Sequence, residues 1–308
     1  MMRFTDVTLR DGLQMEAAVI PVEAKLALFE KLLPLASQRI EITSFVNPKW
    51  IPQLSDANTF CEALFKDTAR FGQAFSGKEL MAFVPNEKGL DQMMAFPIPW
   101  ATTFIATSET FNKKNVNTDI QTTLKVLGNV IRVARENHRK VRVYVSTVFG
   151  CPYEGVVSDT QVLSVLKKVA DLGPDEVALS DTIGVALPDQ VKNIVAAFSS
   201  MFDLSKTALH LHNTYDLAVA AAVAGYEAGV HSFDGTTGGI GGCPYAKGAT
   251  GNVALEELEY LFYRLGRHPS WNPDAVFAAT SYLENLGISI QSRIHDIKKK
   301  GGKLYGFQ

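Results

Sequence analysis

The chain has little cysteine, little net charge and no long apolar run. Its three cysteines, Cys61, Cys151 and Cys243, lie far apart among 308 residues, which excludes a disulfide framework and indicates a reducing compartment. A formal net charge of -2 gives no electrostatic basis for binding nucleic acid. No apolar run approaches the roughly 20 residues of a membrane span, and a strand-like pattern begins where a signal peptide would lie. We therefore expect a cytoplasmic protein with no nucleic-acid or membrane partner.

The sequence also lacks a linker rich in proline, glycine or serine, and it shows no repeat of solenoid period. Strand-like and helix-like patterns alternate instead, and strands are predicted at 4–9, 39–43, 79–84, 101–106, 141–149, 176–180, 208–212 and 231–234. This alternation predicts an α/β fold, and eight units in about 250 residues favour a closed (β/α)8 barrel, or TIM barrel. An open doubly wound sheet is the alternative, but Arg10, Asp11 and Gly12 follow the first strand where that fold has a G-x-G-x-x-G turn.

Helix signals occur between the predicted strands. An apolar stripe at alternating spacings of four and three predicts an amphipathic helix over 117–137. Thr118 with Gln121, and Ser158 with Gln161, have the spacing of a capping box at the start of two helices.

The region after the barrel is predicted to be an addition to it. We expect a barrel domain over residues 1–271 and a C-terminal segment over 272–308 that packs on it. Residues 272–286 are predicted to form an extra helix, and the basic stretch from His295 onward a solvated tail.

Two histidines at a strand end are the sharpest chemical signal. Because strand side chains alternate between faces, His210 and His212 share one face, while Leu209 and Leu211 share the other. The leucines suit packing against outer helices, which leaves both imidazoles in the barrel mouth. A lone inward histidine is more often a core residue, but a pair at this spacing favours a divalent cation.

Further ligands are available on other loops. Asp11 follows the first strand, although Asp-Gly is also a common turn pair. Asn252 ends a glycine-rich segment and can offer an amide oxygen, or can simply cap a helix. A carboxylate, two imidazoles and an amide oxygen suit Mg²⁺ or Mn²⁺ better than a closed zinc site.

The glycine-rich segment 238–252 contains six glycines and Cys243. Most glycine clusters are connecting turns. Its place beyond the two histidines favours a movable flap that presents a thiol to the site.

Other polar side chains follow the predicted strands. Arg10 is a permanently charged donor that can stabilise an enolate. Glu41 lies in the second strand, and Asp181 and Thr182 follow the sixth. Each could form a structural ion pair, the usual role of a buried charge. Their grouping at one end of the barrel, where TIM-barrel active sites lie, favours function.

Seven segments closely resemble the 3-hydroxy-3-methylglutaryl-CoA lyase family. They are TLRDGLQ, ITSFVNPKWIPQ, ETFNKKN, GCPYEG, SDTIGV, LHLHNTYD and GGCPYAKGATGN, and they run in family order from the first strand to about Leu265. Condensing relatives in the wider group of metal-dependent lyase barrels have Glu-Arg where this chain has Cys243 and Pro244. The resemblance therefore implies the cleaving branch, which converts 3-hydroxy-3-methylglutaryl-CoA to acetyl-CoA and acetoacetate by retro-Claisen chemistry.

The resemblance also implies roles for individual residues. Asp11, His210, His212 and Asn252 would hold the cation, and Arg10 would stabilise the enolate of acetyl-CoA. His210 would also join in acid–base chemistry, with Cys243 as the loop thiol that assists proton transfer. Substrate binding or support would come from Gln14, Glu41, Ser108, Asp181 and Thr182. The resemblance further implies an acyl-CoA substrate, a homodimer and a place in leucine breakdown.

The sequence departs from the family at the end of its first motif. Met15 and Ala17 stand where members usually have an amide and a lysine. A charge that could serve the acyl or CoA end is thus missing, which keeps open a related lyase for a different 3-hydroxyacyl-CoA. A condensing synthase and a non-catalytic metal-binding barrel are more remote alternatives.

Overall fold

The computed structural model describes residues 2–71, 77–242, 251–268 and 271–305. Within these ranges, eight parallel strands form a closed barrel in which each strand pairs with the next and the last pairs with the first. The strands are β1 Arg3–Asp6, β2 Arg39–Ser44, β3 Glu79–Phe83, β4 Trp100–Ala106, β5 Lys140–Ser146, β6 Glu176–Asp181, β7 Thr207–Leu211 and β8 Ser232–Gly235. The predicted TIM barrel is confirmed.

Helices cover the outside of the barrel and extend beyond it. They are α1 Val22–Leu32, α2 Ala57–Lys66, α3 Thr68–Phe71, α4 Glu87–Met94, α5 Glu109–Val116, α6 Ile120–Glu136, α7 Asp159–Asp171, α8 Pro188–Ser199, α9 Ala218–Glu227, α10 Leu255–Arg264, α11 Pro273–Asn285 and α12 Arg293–Lys299. None of the helices in the described ranges has both the length and the apolar composition needed to cross a membrane.

Strand β5 shows how the sequence sorts side chains between the two sides of the barrel wall. Val141, Val143 and Val145 are buried in the main apolar core. The alternate residues Arg142 and Tyr144 lie in the barrel interior, where they contact charged and polar side chains of other strands. This two-residue period therefore delivers polar groups to the interior of the barrel.

Helix starts follow the capping preferences only in part. Ser158 caps α7 as predicted, and its Oγ accepts a hydrogen bond from Gln161 N at 3.3 Å. The predicted cap of α6, Thr118, is wrong. Asp119 caps that helix by accepting from Thr122 N at 2.7 Å, because its carboxylate reaches the free N–H groups of the first turn.

The C-terminal region is more ordered than the sequence indicated. The predicted extra helix is confirmed as α11. The stretch predicted as a solvated tail instead begins within α12, where His295 is buried. His295 Nδ1 lies 2.8 Å from Thr280 Oγ1 of α11, so a side-chain hydrogen bond joins the two helices.

Candidate active site

Three potential metal ligands meet at the C-terminal end of the barrel. His210 lies in β7 and His212 directly after it, and Asp11 lies in the turn after β1. The Nε2 atoms of His210 and His212 are 3.8 and 3.9 Å from Asp11 Oδ2. One ligand atom from each residue lies within 4.8 Å of the others. A single cation can therefore contact all three side chains.

A π-helical turn, Thr8–Gly12, brings Asp11 to this cluster. The strand predicted over residues 4–9 is wrong at its end, because β1 stops at Asp6. The buried carboxylate of Asp6 accepts hydrogen bonds from Thr8 N at 2.8 Å and from Thr237 Oγ1 at 2.7 Å. These bonds hold the chain in a turn and tie it to the loop after β8.

Asn252 lies against the same cluster. Its backbone pairs with that of His212, and its Nδ2 donates to Asp11 Oδ2 at 2.8 Å. A Cβ atom at Gly241 would lie 2.9 Å from Asp11 O and 3.1 Å from Asn252 Nδ2. With a φ of 93°, position 241 needs glycine both for its conformation and for this close approach.

This donor set fits a divalent cation. A carboxylate, two imidazoles and an amide oxygen are ligands that Mg²⁺ and Mn²⁺ accept. The Oδ1 atom of Asn252 is buried and has no hydrogen-bond partner among the described residues. Buried polar atoms are rarely left without a partner, so this oxygen is suited to a ligand that the protein itself does not supply.

A buried carboxylate fixes Arg10 beside the potential metal ligands. Arg10 Nε lies 2.5 Å from Glu41 Oε2, and its Nη1 donates to Asp11. Glu41 is fully buried and also accepts hydrogen bonds from Thr102 Oγ1 and, at 3.3 Å, from Tyr144 OH. We find no hydrogen bond from Arg10 Nη2 to any other residue in the described ranges. That donor is therefore available to a ligand oxygen.

The protonation states of Asp11 and His212 suit the binding of a cation. Burial acts to raise the pKa of Asp11, but Arg10, His210 and His212 outweigh it and hold that pKa well below its usual range. Burial, aided by the charge of His210, lowers the pKa of His212 to about 4. At neutral pH Asp11 is thus an anion and His212 is neutral, the forms in which these side chains bind metals.

A cavity of about 890 Å³ opens over the cluster. Arg10 and both histidines line it, together with the predicted substrate residues Gln14 and Thr182. Part of its wall is apolar, formed by Phe83, Phe104, Phe111, Val126 and Leu127. The volume and the mixed lining are those of a small-molecule site.

Comparisons with known proteins place the chain in a family. The family model described as HMGL-like matches residues 1–283. The chain belongs to the HMGL-like family. This family member is 37% identical over 281 residues to the mitochondrial hydroxymethylglutaryl-CoA lyase of Rattus norvegicus, an alignment that covers 91% of this chain and 84% of that protein.

Solved structures of HMG-CoA lyases share the fold of this HMGL-like protein. The crystal structure of the Bacillus subtilis enzyme has a TM-score of 0.90 at 35% identity and covers 97% of this chain and 98% of that one. The structure of the Acinetobacter baumannii enzyme in complex with coenzyme A and 3-methylmalate has a TM-score of 0.89 at 29% identity, with 100% and 97% of the chains covered.

Some residues predicted from the sequence do not line the cavity of this HMGL-like chain. Ser108 caps α5 by accepting from Phe111 N at 3.0 Å. Both carboxylate oxygens of Asp181 accept backbone N–H groups, from Val185 at 3.0 Å and from Ala186 at 2.8 Å. These two side chains shape loops beside the site, and their part in substrate binding stays a prediction. Cys243 lies outside the described residues.

Two buried residues at the site were missed by the sequence reasoning. Tyr144 donates to Glu41, and Asp234 Oδ2 lies 3.2 Å from His210 Nδ1. Asp234 ends the predicted strand 231–234, so the signal that selected Glu41, a carboxylate within or at the end of a strand, could have found it. Tyr144 carried no such signal, since an aromatic residue in a strand is ordinarily part of a core.

Proposed function

We propose that this chain cleaves 3-hydroxy-3-methylglutaryl-CoA to acetyl-CoA and acetoacetate, and that the reaction requires Mg²⁺ or Mn²⁺. The observation that carries the proposal is the position of Arg10. Its guanidinium is bonded to Asp11, one of the three potential metal ligands, inside one cavity. The named activity of the Rattus norvegicus and Bacillus subtilis relatives supports the same reaction.

Cleavage of the carbon–carbon bond beside a tertiary alcohol requires loss of the hydroxyl proton and a site for the electron pair left on carbon. A divalent cation held by Asp11, His210, His212 and Asn252 would acidify the hydroxyl and fix its orientation. Nη2 of Arg10, which bonds none of the described residues, is suited to the thioester oxygen, where negative charge collects as the bond breaks. Glu41 holds Arg10 in this orientation, so the donor is in place before the charge develops.

The acid–base steps involve two side chains that the family resemblance names, His210 and Cys243. The acid–base role of His210 stays a prediction from the family resemblance, because its Nε2 faces the metal cluster and its Nδ1 lies 3.2 Å from Asp234 Oδ2, which leaves neither ring nitrogen for the hydroxyl proton when the cation is bound. Cys243 is proposed to assist in protonating the acetyl product, a role drawn from the family resemblance alone. The homodimer, the cytoplasmic location and the place in leucine breakdown rest on sequence reasoning alone and stay predictions.

The test is the release of acetoacetate by the purified protein. With 3-hydroxy-3-methylglutaryl-CoA and Mg²⁺ or Mn²⁺, we expect acetoacetate and acetyl-CoA in equal amounts, and no product when a chelator is present. Absence of product at high enzyme concentration with either metal would overturn the proposal.

A related lyase for another 3-hydroxyacyl-CoA is the second candidate. Met15 lines the cavity and is 41% exposed, at a position where the family usually has an amide. An apolar side chain there favours a less polar neighbouring group on the substrate. The two candidates are distinguished by comparing kcat/KM for 3-hydroxy-3-methylglutaryl-CoA with kcat/KM for thioesters that have longer apolar substituents at C3. The second candidate requires a higher kcat/KM for one of the longer thioesters.

A further inference from the structure

The two histidines of the metal cluster are not equivalent. His210 Nδ1 lies 3.2 Å from Asp234 Oδ2, and Asp234 is buried in β8. The corresponding Nδ1 of His212 is buried and has no hydrogen-bond partner among the residues described. Among the described residues, therefore, a carboxylate lies behind the ring of His210, on the side away from Asp11, and none lies behind that of His212.

Asp234 is itself held in place by Arg142. Arg142 Nη2 lies 2.7 Å from both oxygens of Asp234, and Arg142 Nη1 donates to Thr5 Oγ1 at 3.1 Å. Both members of the pair are fully buried. The two 2.7 Å contacts to the Arg142 guanidinium make Asp234 the anionic partner of a buried ion pair. Contacts with Arg142 and with His210 thus fix the position of Asp234.

The same arginine contacts a second buried carboxylate. Arg142 Nε lies 3.2 Å from Glu176 Oε1, and Glu176 also pairs with Arg39 at 2.7 Å. Glu176 is in β6 and bonds neither histidine. Arg142 therefore contacts two buried carboxylates in the barrel interior. Of these two, Asp234 contacts a proposed metal ligand and Glu176 does not.

We propose that Asp234 is a positioning residue, which fixes the His210 ring with the proton on Nδ1 and the lone pair of Nε2 directed at the metal site. The inference rests on the proposed metal-dependent function. An Nδ1–H bond to a carboxylate sets both the tautomer and the ring orientation, and the charge makes Nε2 a better ligand. Loss of such a partner ordinarily weakens metal binding by about 10–100-fold.

Substitution of Asp234 tests this with Glu176 as the matched control. Mn²⁺ binding is measured by calorimetry on folded Asp234→Ala, Asp234→Asn and Glu176→Gln. We expect Kd to rise about 10–100-fold in Asp234→Ala and less in Asp234→Asn, which keeps an acceptor oxygen. Glu176→Gln should bind Mn²⁺ as the unaltered protein does, although it too loses a buried ion pair. Equal Kd values in all three variants would overturn the proposal.

A second measurement needs no variant and holds even if the substitutions prevent folding. Nitrogen-15 NMR of the metal-free protein reports the tautomer of each histidine, and His210 should carry its proton on Nδ1. A proton on Nε2 would contradict the inference while leaving the proposed function untouched. Failure of the unaltered protein to bind Mn²⁺ or Mg²⁺ would instead overturn the proposed function and this inference with it.

Discussion

The pairing of Arg10 with Glu41 makes it possible to separate catalysis from stability at one position. In Arg10→Met, the chain keeps an apolar stem but loses the Nη2 donor proposed to meet the thioester oxygen. Removal of one preorganised donor from a developing anion ordinarily costs about 2.7–4 kcal/mol, or about 10²–10³ in kcat. We expect a loss of at least that size, because the charged donor also leaves the site.

The same substitution should destabilise the fold. Glu41 is fully buried, and loss of the Arg10 guanidinium leaves its carboxylate with two donors among the described residues, Thr102 and Tyr144. Breaking a buried ion pair by removing one partner costs about 3–5 kcal/mol. Because two hydroxyl donors remain on Glu41, we expect the lower end, about 3 kcal/mol in the free energy of unfolding.

The double variant Arg10→Met with Glu41→Gln distinguishes these two effects. Glutamine removes the unpaired buried charge, so most of the lost free energy of unfolding should return, while kcat should not. Acetoacetate release and urea unfolding measure the two quantities on the same samples. Recovery of kcat in the double variant, or a single variant with unchanged kcat, would refute the role given to Arg10.

Three further perturbations follow from the structure. Gly241→Ala should weaken Mn²⁺ binding because the added Cβ would push against Asp11 and Asn252. Gly287→Ala is the control: with a φ of 83° but no neighbour within 4 Å, it should add only backbone strain. Equal Mn²⁺ affinities of the two variants would contradict this prediction. Burial raises the pKa of Glu256 to about 7. The folded protein then keeps a proton that the unfolded chain releases, so the free energy of unfolding should fall as the pH rises from 4.5 to 7. Glu256→Gln should remove that fall and add up to about 3 kcal/mol to the free energy of unfolding at pH 8, measured by urea unfolding. A pH profile that is the same in both proteins would refute this prediction. Chelation should abolish acetoacetate release, and Mn²⁺ at 100 times its Kd should raise the free energy of unfolding by about 2.7 kcal/mol; a denaturation midpoint unaffected by Mn²⁺ would argue against the site.

The barrel was predictable because its signals are local. Alternating apolar positions mark β5, and an apolar stripe marks α6, so strand and helix types follow from neighbouring residues alone. The spacing of His210 and His212 likewise predicted a shared face. Such patterns reflect the periods of strands and helices, and the sequence contains them whatever the tertiary structure is.

The predicted cap of α6 is a local error, one residue away from the true cap, but two other errors lie where tertiary contacts override local preference. β1 stops early because Asp6 binds Thr237, a residue from the far end of the chain. The first residues of the predicted tail, through Lys299, lie in a helix, and His295 bonds α11 from there. No short window of sequence contains either contact.

By itself, the sequence determined the barrel, the pair of histidines and the resemblance to a metal-dependent lyase family. Only the tertiary structure decided that Glu41 holds Arg10 with Nη2 unbonded to any described residue, and that Asp234 contacts His210 but not His212. The physical reason is closure of the sheet. Closure brings strand ends far apart in sequence, such as β1 and β8, next to each other, and the resulting contacts set the orientation and charge of each side chain.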